Sequence, residues 1–185
     1  MPQSSILGSS VVPFRLVFFM WLSFVLEMNY HLPISQFGIE PRTAKGLIGI
    51  FLSPMAHGDV FHLVSNTIPM LFLGAALFFF YPRIAGIVFF RAYFWTNILV
   101  WLFARPYNHI GASGIVYGLA FFLIFFGLFR RDIRSIIISL ITLLLYGSVF
   151  YGVLPGDPRI SWESHLGGAL VGVFSAITFS TKSKI

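Results

Sequence analysis

The sequence predicts an all-α protein that crosses a membrane several times. Of its 185 residues, 57% are hydrophobic and only 10% are charged, and the mean hydropathy is +0.88. A chain with so few charged residues cannot cover a compact fold with polar surface. Apolar stretches of about 20 residues, the length that spans a bilayer, recur between breaks marked by charge or proline. We therefore expect a single membrane-embedded domain over residues 1–185.

Six of these stretches are predicted spans, and together they predict a polytopic bundle of six transmembrane helices. The first is too long and too aromatic for a cleaved signal peptide, so we expect it to be retained. Asp59 precedes the second and is suited to cap its first turn. The predicted spans cover residues 11–28, 60–80, 84–103, 111–129, 135–153 and 161–180.

The connection between the first two spans, residues 29–58, is longer than most helix connections and is not polar. Its segment 46–52 is too short to cross a bilayer and too apolar for water. We expect this segment to lie along the outer membrane interface as an anchor. A direct part in catalysis is the alternative.

The lysines and arginines predict that both termini are cytoplasmic, because cytoplasmic loops are rich in these residues. The outer side then holds Arg42, Lys45, Arg105 and Arg159. The inner side holds Arg83, Arg130, Arg131, Arg134, Lys182 and Lys184, with Arg15 able to reach it. Arg91 lies inside the third span, and the sequence leaves open whether it reaches the inner face or is paired within the bundle. The net charge of +6 is spread over loops, so we expect no nucleic-acid partner.

A polar, glycine-containing stretch, residues 108–118, begins the fourth span and contains Ser113. Alone, this serine is weak evidence of catalysis, because its neighbours depart from the G-x-S-x-G pattern of soluble hydrolases and most serines in membrane helices bond to a carbonyl one turn earlier.

The depth of the polar residues within their predicted spans is more informative. At a rise of about 1.5 Å per residue, Ser113 and His62 lie about 3 Å into their spans, His165 about 6 Å and Asn66 about 9 Å. These four polar side chains share one shallow layer near the outer side, where each needs a partner.

Glycines predict which of these spans touch. Gly114 and Gly118 are one turn apart on the fourth span, and Gly168 and Gly172 repeat the spacing on the sixth, on the face of His165. Small residues at this spacing let two helix backbones approach closely. A hydrogen bond of about 2.6–3.2 Å between the serine and the histidine requires that approach. Ordinary glycine packing is the alternative, and it is compatible with a site.

These motifs resemble those of the rhomboid-family intramembrane serine proteases, in the family's order and over more than half of the chain. The matching residues are His57, His62 and Asn66 at the second span, Gly111, Ala112, Ser113 and Gly114 with Tyr117 on the fourth, and Ser164, His165, Leu166, Gly167 and Gly168 with Gly172 on the sixth. The length resembles the family's minimal six-helix form, so the resemblance implies a rhomboid-like bundle.

The resemblance implies a Ser113–His165 dyad without metal or cofactor. It assigns His62, Asn66 and the backbone N–H of Ser113 to the oxyanion hole, and it has Tyr117 pack against the histidine. A neutral imidazole can take the serine proton and return it to the leaving amine. An acidic third member is not evident, because Glu163 is two residues from His165 and points to another face.

Two further features, His57 and the bracing of the first loop, keep their alternatives open. His57 either holds the loop near the oxyanion donors or is an ordinary interfacial histidine. Bacterial family members often carry a Trp-Arg pair in the first loop and a glutamate after the Leu-Gly of the second span. In this sequence the first loop has KGLI at residues 45–48, and the residues that follow Leu-Gly, 75–78, are AALF. The bracing of the first loop is therefore open.

The resemblance also implies the partners, which are the lipid bilayer and proteins with a single transmembrane helix. We expect cleavage near the outer face of a bacterial inner membrane, with substrates entering sideways between the second and fifth spans and residues 136–150 as the gate. The sequence does not indicate an oligomeric state.

Two other classes of function compete. A catalytically inactive relative that binds membrane clients would lack Ser113 or His165, and both are present. A transporter or metal permease using His57, His62 and His165 would show an internal repeat, and none is visible. Zinc and aspartyl intramembrane proteases lack support, since there is neither an H-E-x-x-H motif nor an aspartate pair within the spans.

Overall fold

A computed structural model describes residues 6–181, and within this range the chain is helical, with one isolated β-bridge between Ile39 and His109. The all-α prediction is confirmed. The helices are α1 Ile6–Tyr30, α2 Gly46–Leu52, α3 Val60–Phe80, α4 Pro82–Phe103, α5 Ser113–Arg130, α6 Ile133–Tyr146, α7 Val149–Gly152 and α8 Trp162–Ser180. Lys182 and Lys184, used above to predict orientation, lie outside the described residues.

Four helices of the described chain, namely α1, α3, α4 and α5, are long and apolar enough to cross a membrane. The molecule is thus a multi-pass membrane protein. α6 has 14 residues, and α8 has 19 with a more polar start. The number of six spans stays a prediction.

The fifth predicted span, residues 135–153, is not one continuous helix. α6 ends at Tyr146, and the amides of Phe150 and Tyr151 then bond to the carbonyls three residues back, at 3.2 and 3.0 Å. Gly147 and Ser148 lie at the interruption, and both residue types have low helix propensity. The short helix α7 follows and ends at Gly152.

α5 is the central helix, since 67% of its apolar window is buried, whereas the corresponding shares of the other three candidate spans are 28–33%. It packs along α8 and also contacts α3, α4 and α6. A Cβ atom at Gly168 would collide with the carbonyl oxygen of Gly114, and one at Gly172 with that of Gly118. The predicted close approach of the fourth and sixth spans is confirmed.

The first loop is held against α4 by side-chain hydrogen bonds to loop carbonyls. Asn97 donates to the carbonyl of Ile50 at 2.9 Å, and Trp101 donates to that of Thr43 at 2.9 Å. Tyr93 donates to the carbonyl of Phe51. Within α2, Gly46, Gly49 and Ile50 are buried, while Leu47, Ile48 and Phe51 are exposed. α4 therefore braces the loop without a Trp-Arg pair, and α2 presents an apolar outer face.

We predict that Gly168→Ala destabilises the fold, because the new methyl group meets backbone atoms of α5 that cannot rotate away. Overpacking of this kind costs about 1–3 kcal/mol. The measurement is thermal unfolding in detergent. Gly86→Ala is the control, since Gly86 is also helical and nothing lies within 4 Å of a Cβ atom there. Equal unfolding temperatures for the two variants would contradict the close contact.

Candidate active site

The chain turns sharply just before α5, and this turn presents Ser113. Gly111 has a φ of +102°, a conformation that residues with side chains rarely adopt. A Cβ atom there would lie 2.5 Å from Nε2 of His62, and the Gly111 amide donates to the carbonyl of Ser53 at 2.8 Å. Ser113 is the first residue of α5, so it lies at the very end of this helix.

Ser113 and His165 are in hydrogen-bond contact, with Oγ 2.9 Å from Nε2. On the other side of the ring, Nδ1 of His165 lies 3.0 Å from the carbonyl oxygen of Gly152. A carbonyl only accepts, so Nδ1 carries the proton of the neutral imidazole. Nε2 is then the acceptor for the hydroxyl of Ser113. The ring is buried, at 9% exposure.

Tyr117 supports the imidazole from one face. Its ring stacks on that of His165 with centroids 4.0 Å apart and planes 5° from parallel. A Cβ atom at Gly152 would collide with the Tyr117 hydroxyl. Gly152, Tyr117 and His165 therefore form one packed unit, and position 152 has no room for a side chain.

His62 and Asn66 lie one turn apart at the start of α3, as predicted. Asp59 caps this helix by accepting from the His62 amide at 2.8 Å. The His62 ring lies against Gly111, two residues before the serine. The Asn66 side chain is buried, and its Nδ2 donates to the carbonyl of His62 at 2.8 Å. One N–H of this amide is thus committed to its own helix, and the second remains.

His57 lies behind His62 and is 2% exposed, so it is not a surface histidine. The two rings meet edge to face with centroids 4.9 Å apart. Burial, and then the neighbouring His62, lower the pKa of His57 to about 4, so the ring is neutral at physiological pH. Its role in holding the loop near the predicted oxyanion donors stays a prediction.

No carboxylate hydrogen-bonds to His165 among the described residues. Glu163 instead forms an ion pair with Arg105, including a 3.2 Å bond from Nη2 to Oε2. Over the same range, no group of three or more His, Cys, Asp or Glu side chains is placed to hold a metal ion. The described groups at the site are therefore a serine, imidazole and phenol rings, an amide and backbone atoms.

Two residues near the site were missed by the sequence reasoning. His109 is buried, with Nδ1 2.6 Å from Oγ of Ser161 and Nε2 2.9 Å from the Arg105 carbonyl. It ties the turn before Ser113 to the start of α8, and its place in the polar stretch 108–118 was the available signal. Gly152 belongs to no recognisable motif, so the sequence carried no signal for its contact with His165.

A hydroxyl bonded to an oriented, buried imidazole is the arrangement that serine hydrolases use. A model of the Rhomboid domain matches residues 44–182 of the chain. The chain therefore belongs to the rhomboid family, whose members are generally intramembrane serine proteases.

Several curated proteins are similar to the chain. An uncharacterised protein of Mycobacterium tuberculosis (strain H37Rv) is 34% identical over 164 residues, which is 80% of this chain and 65% of that protein. One of Mycobacterium leprae is 34% identical over 186 residues, covering 90% and 70%. RHOMBOID-like protein 4 of Arabidopsis thaliana is 34% identical over 121 residues, covering 63% and 30%. The chain thus spans less than two thirds of the length of the Mycobacterium tuberculosis relative.

We predict that Gly152→Ala slows the reaction of Ser113 with a fluorophosphonate probe. The methyl group displaces either the Tyr117 ring or the carbonyl that orients His165, and misplacement by about 1 Å can cost on the order of 10²-fold in rate. Gly156→Ala is the matched control, because a Cβ atom there meets nothing closer than 4.0 Å. Wild-type labelling by Gly152→Ala would show that this carbonyl does not orient the base.

Proposed function

We propose that the protein is an intramembrane serine endopeptidase that cleaves single-span transmembrane proteins near the outer membrane face. The observation that carries the proposal is the 2.9 Å contact between Ser113 Oγ and His165 Nε2. The catalytic unit is one domain of six spans. In it, α6 with α7 forms the fifth span and α8 the sixth.

Catalysis begins when the Ser113 hydroxyl transfers its proton to Nε2 of His165 and the oxygen attacks the scissile carbonyl carbon. The imidazolium keeps its second proton on Nδ1, which donates to the Gly152 carbonyl oxygen, and the stacked Tyr117 ring holds the imidazole in its orientation. Collapse of the tetrahedral intermediate breaks the C–N bond, and His165 gives the proton to the leaving amine. Water, deprotonated by Nε2, then hydrolyses the Ser113 ester and restores the hydroxyl.

The oxyanion of this intermediate is held at the start of α5. Ser113 is the first residue of that helix, where backbone N–H groups lack acceptors within the helix and its positive end lies. His62 and the free N–H of Asn66 add side-chain donors from α3. Each such donor is worth about 10²–10³-fold in rate.

The substrate must expose its scissile carbonyl, since a helix hides its carbonyls in its own hydrogen bonds. We infer that a substrate helix enters between α3 and α6 and unwinds near the site. α3 and α6 meet through the rings of Phe72 and Tyr146, whose centroids are 6.0 Å apart. Leu144 and Leu145 of α6 are 84% and 58% exposed, which supports a loosely covered gate within residues 136–150.

The proposed topology has both termini in the cytoplasm of a bacterium, with the protein in the inner membrane. Arg130 at the end of α5, Arg131 directly after it and Arg134 in the first turn of α6 then lie on the cytoplasmic side, as cationic loops usually do. Ser113 starts the same helix at its opposite end, so water reaches it from the outer face.

We predict that Ser113→Ala and His165→Ala each abolish cleavage of a transmembrane reporter in detergent, while both variants stay folded. The double variant should be no worse than either single one, because residues that act as a unit are not additive. Ser175→Ala is the control. Ser175 is a buried serine of α8 whose hydroxyl has no hydrogen-bond partner among the described residues. Cleavage retained by purified Ser113→Ala would replace the protease assignment with the client-binding one.

We predict that activity falls as the pH is lowered, because protonated His165 cannot accept the serine proton. Histidine has an ordinary pKa of about 6.5. His57 stays neutral over a series from pH 5 to 8, since its pKa is about 4. The measurement is the rate of fluorophosphonate labelling, repeated in His62→Ala to remove the other titrating ring near the serine. A rate that rises on acidification in both proteins would rule out a neutral histidine base.

A further inference from the structure

Arg91 lies within α4 and carries a charge that no described group neutralises. Its guanidinium carbon is 5.1 Å from the Phe179 ring centroid and 5.8 Å from that of Phe174. Its Nη1 atom is buried and has no hydrogen-bond partner within the described chain. A charge in apolar surroundings is costly unless an anion pairs with it.

The side chains of the protein cannot supply that anion. The sequence contains six Asp and Glu residues, and each is engaged elsewhere. Their partners are Ser35 for Glu27, Lys45 for Glu40, the His62 amide for Asp59, Ser135 and Arg130 for Asp132, Arg159 for Asp157, and Arg105 for Glu163. An anion that pairs with Arg91 must therefore come from a bound molecule.

Arg91 opens onto an apolar groove between α4 and α8. The groove has a volume of about 430 Å³ and is lined by Arg91, Trp95, Leu99, Leu170, Val171 and Phe174. Trp95, Leu170 and Phe174 are each more than half exposed, so the groove opens on the surface that faces lipid. Its shape and chemistry suit a ligand with one anionic end and a long apolar chain.

The groove also has a direction. α4 starts at Pro82, at the end of the bundle remote from Ser113, and side chains on a helix lean toward its start. The guanidinium accordingly lies near Phe179, in the last turn of α8, whereas His165 is in the first. Leu99 and Leu170 line the groove closer to the active-site end. A charged head at Arg91 with an apolar tail toward Leu99 matches a phospholipid of the leaflet on the Pro82 side.

We propose that the groove between α4 and α8 binds an anionic phospholipid, with its phosphate on Arg91 and one acyl chain along the apolar wall. Guanidinium groups bind phosphate oxygens in pairs. A lipid with net negative charge balances Arg91 without bringing an ammonium group beside it. Because both helices line the groove, the bound lipid holds α4 against α8, the helix that carries His165.

The test measures thermal unfolding of the full chain in detergent with added phosphatidylglycerol, phosphatidylcholine or inorganic phosphate, with lipid retention followed by native mass spectrometry. We expect phosphatidylglycerol to raise the unfolding temperature by about 2–4 °C, the shift typical of a modest stabilisation in a chain of this size. Phosphatidylcholine should do less and inorganic phosphate nothing. Equal stabilisation by inorganic phosphate would replace the lipid site with a simple anion site.

Three variants make the result specific. Arg91→Gln should abolish the lipid-dependent shift and retention, while Arg15→Gln, which removes an exposed arginine from α1, should keep both. Leu170→Trp fills the groove and should reduce the shift although the cation remains, so the proposal is tested even if Arg91→Gln folds poorly. An undiminished phosphatidylglycerol shift in Arg91→Gln or in Leu170→Trp would overturn the proposal.

Discussion

The contact between the backbones of α5 and α8 is the constraint on which the site depends. Serine and histidine side chains are short, so their 2.9 Å contact requires the two helices to lie almost against each other. Gly114, Gly118 and Gly168 permit this, because a Cβ atom at any of them would meet atoms of a neighbouring helix. Lipid offers no hydrophobic drive for helix association, so van der Waals packing of this kind must hold the pair.

The polar groups of the site are oriented by backbone atoms rather than by charges. The Gly152 carbonyl orients His165, and the His62 carbonyl accepts from Asn66. A carboxylate in the third position would add a charge to a buried layer, at a desolvation cost that its attraction need not repay. A carbonyl selects the same tautomer without that cost. Glu163 accordingly pairs with Arg105.

The sequence was sufficient for the helical class, the position of most helices and the proximity of the fourth and sixth spans, because hydropathy and glycine spacing are local signals. It was insufficient to predict that the Gly152 carbonyl contacts His165. That contact depends on where α6 ends, and the end follows from a difference in helix propensity at Gly147 that is worth only about 1 kcal/mol. It was likewise insufficient for the bracing of the first loop. The hydrogen bond from Asn97 spans 47 positions of the sequence and that from Trp101 spans 58. No local sequence pattern predicts contacts over such separations.

The two predicted spans that fall outside the four clear membrane helices are the two that supply His165 and the carbonyl bonded to its ring. α8 begins with Trp162, Glu163, Ser164 and His165, and these polar residues lower the hydropathy of the helix that carries them. α6 stops at Tyr146, and the tighter turns that follow bring the Gly152 carbonyl to the imidazole. The polar start of α8 and the early end of α6 therefore both contribute to the site and make these segments less apolar or shorter than a typical membrane span. Such helices depend on their neighbours for position, which is why α8 lies against the most buried helix of the bundle.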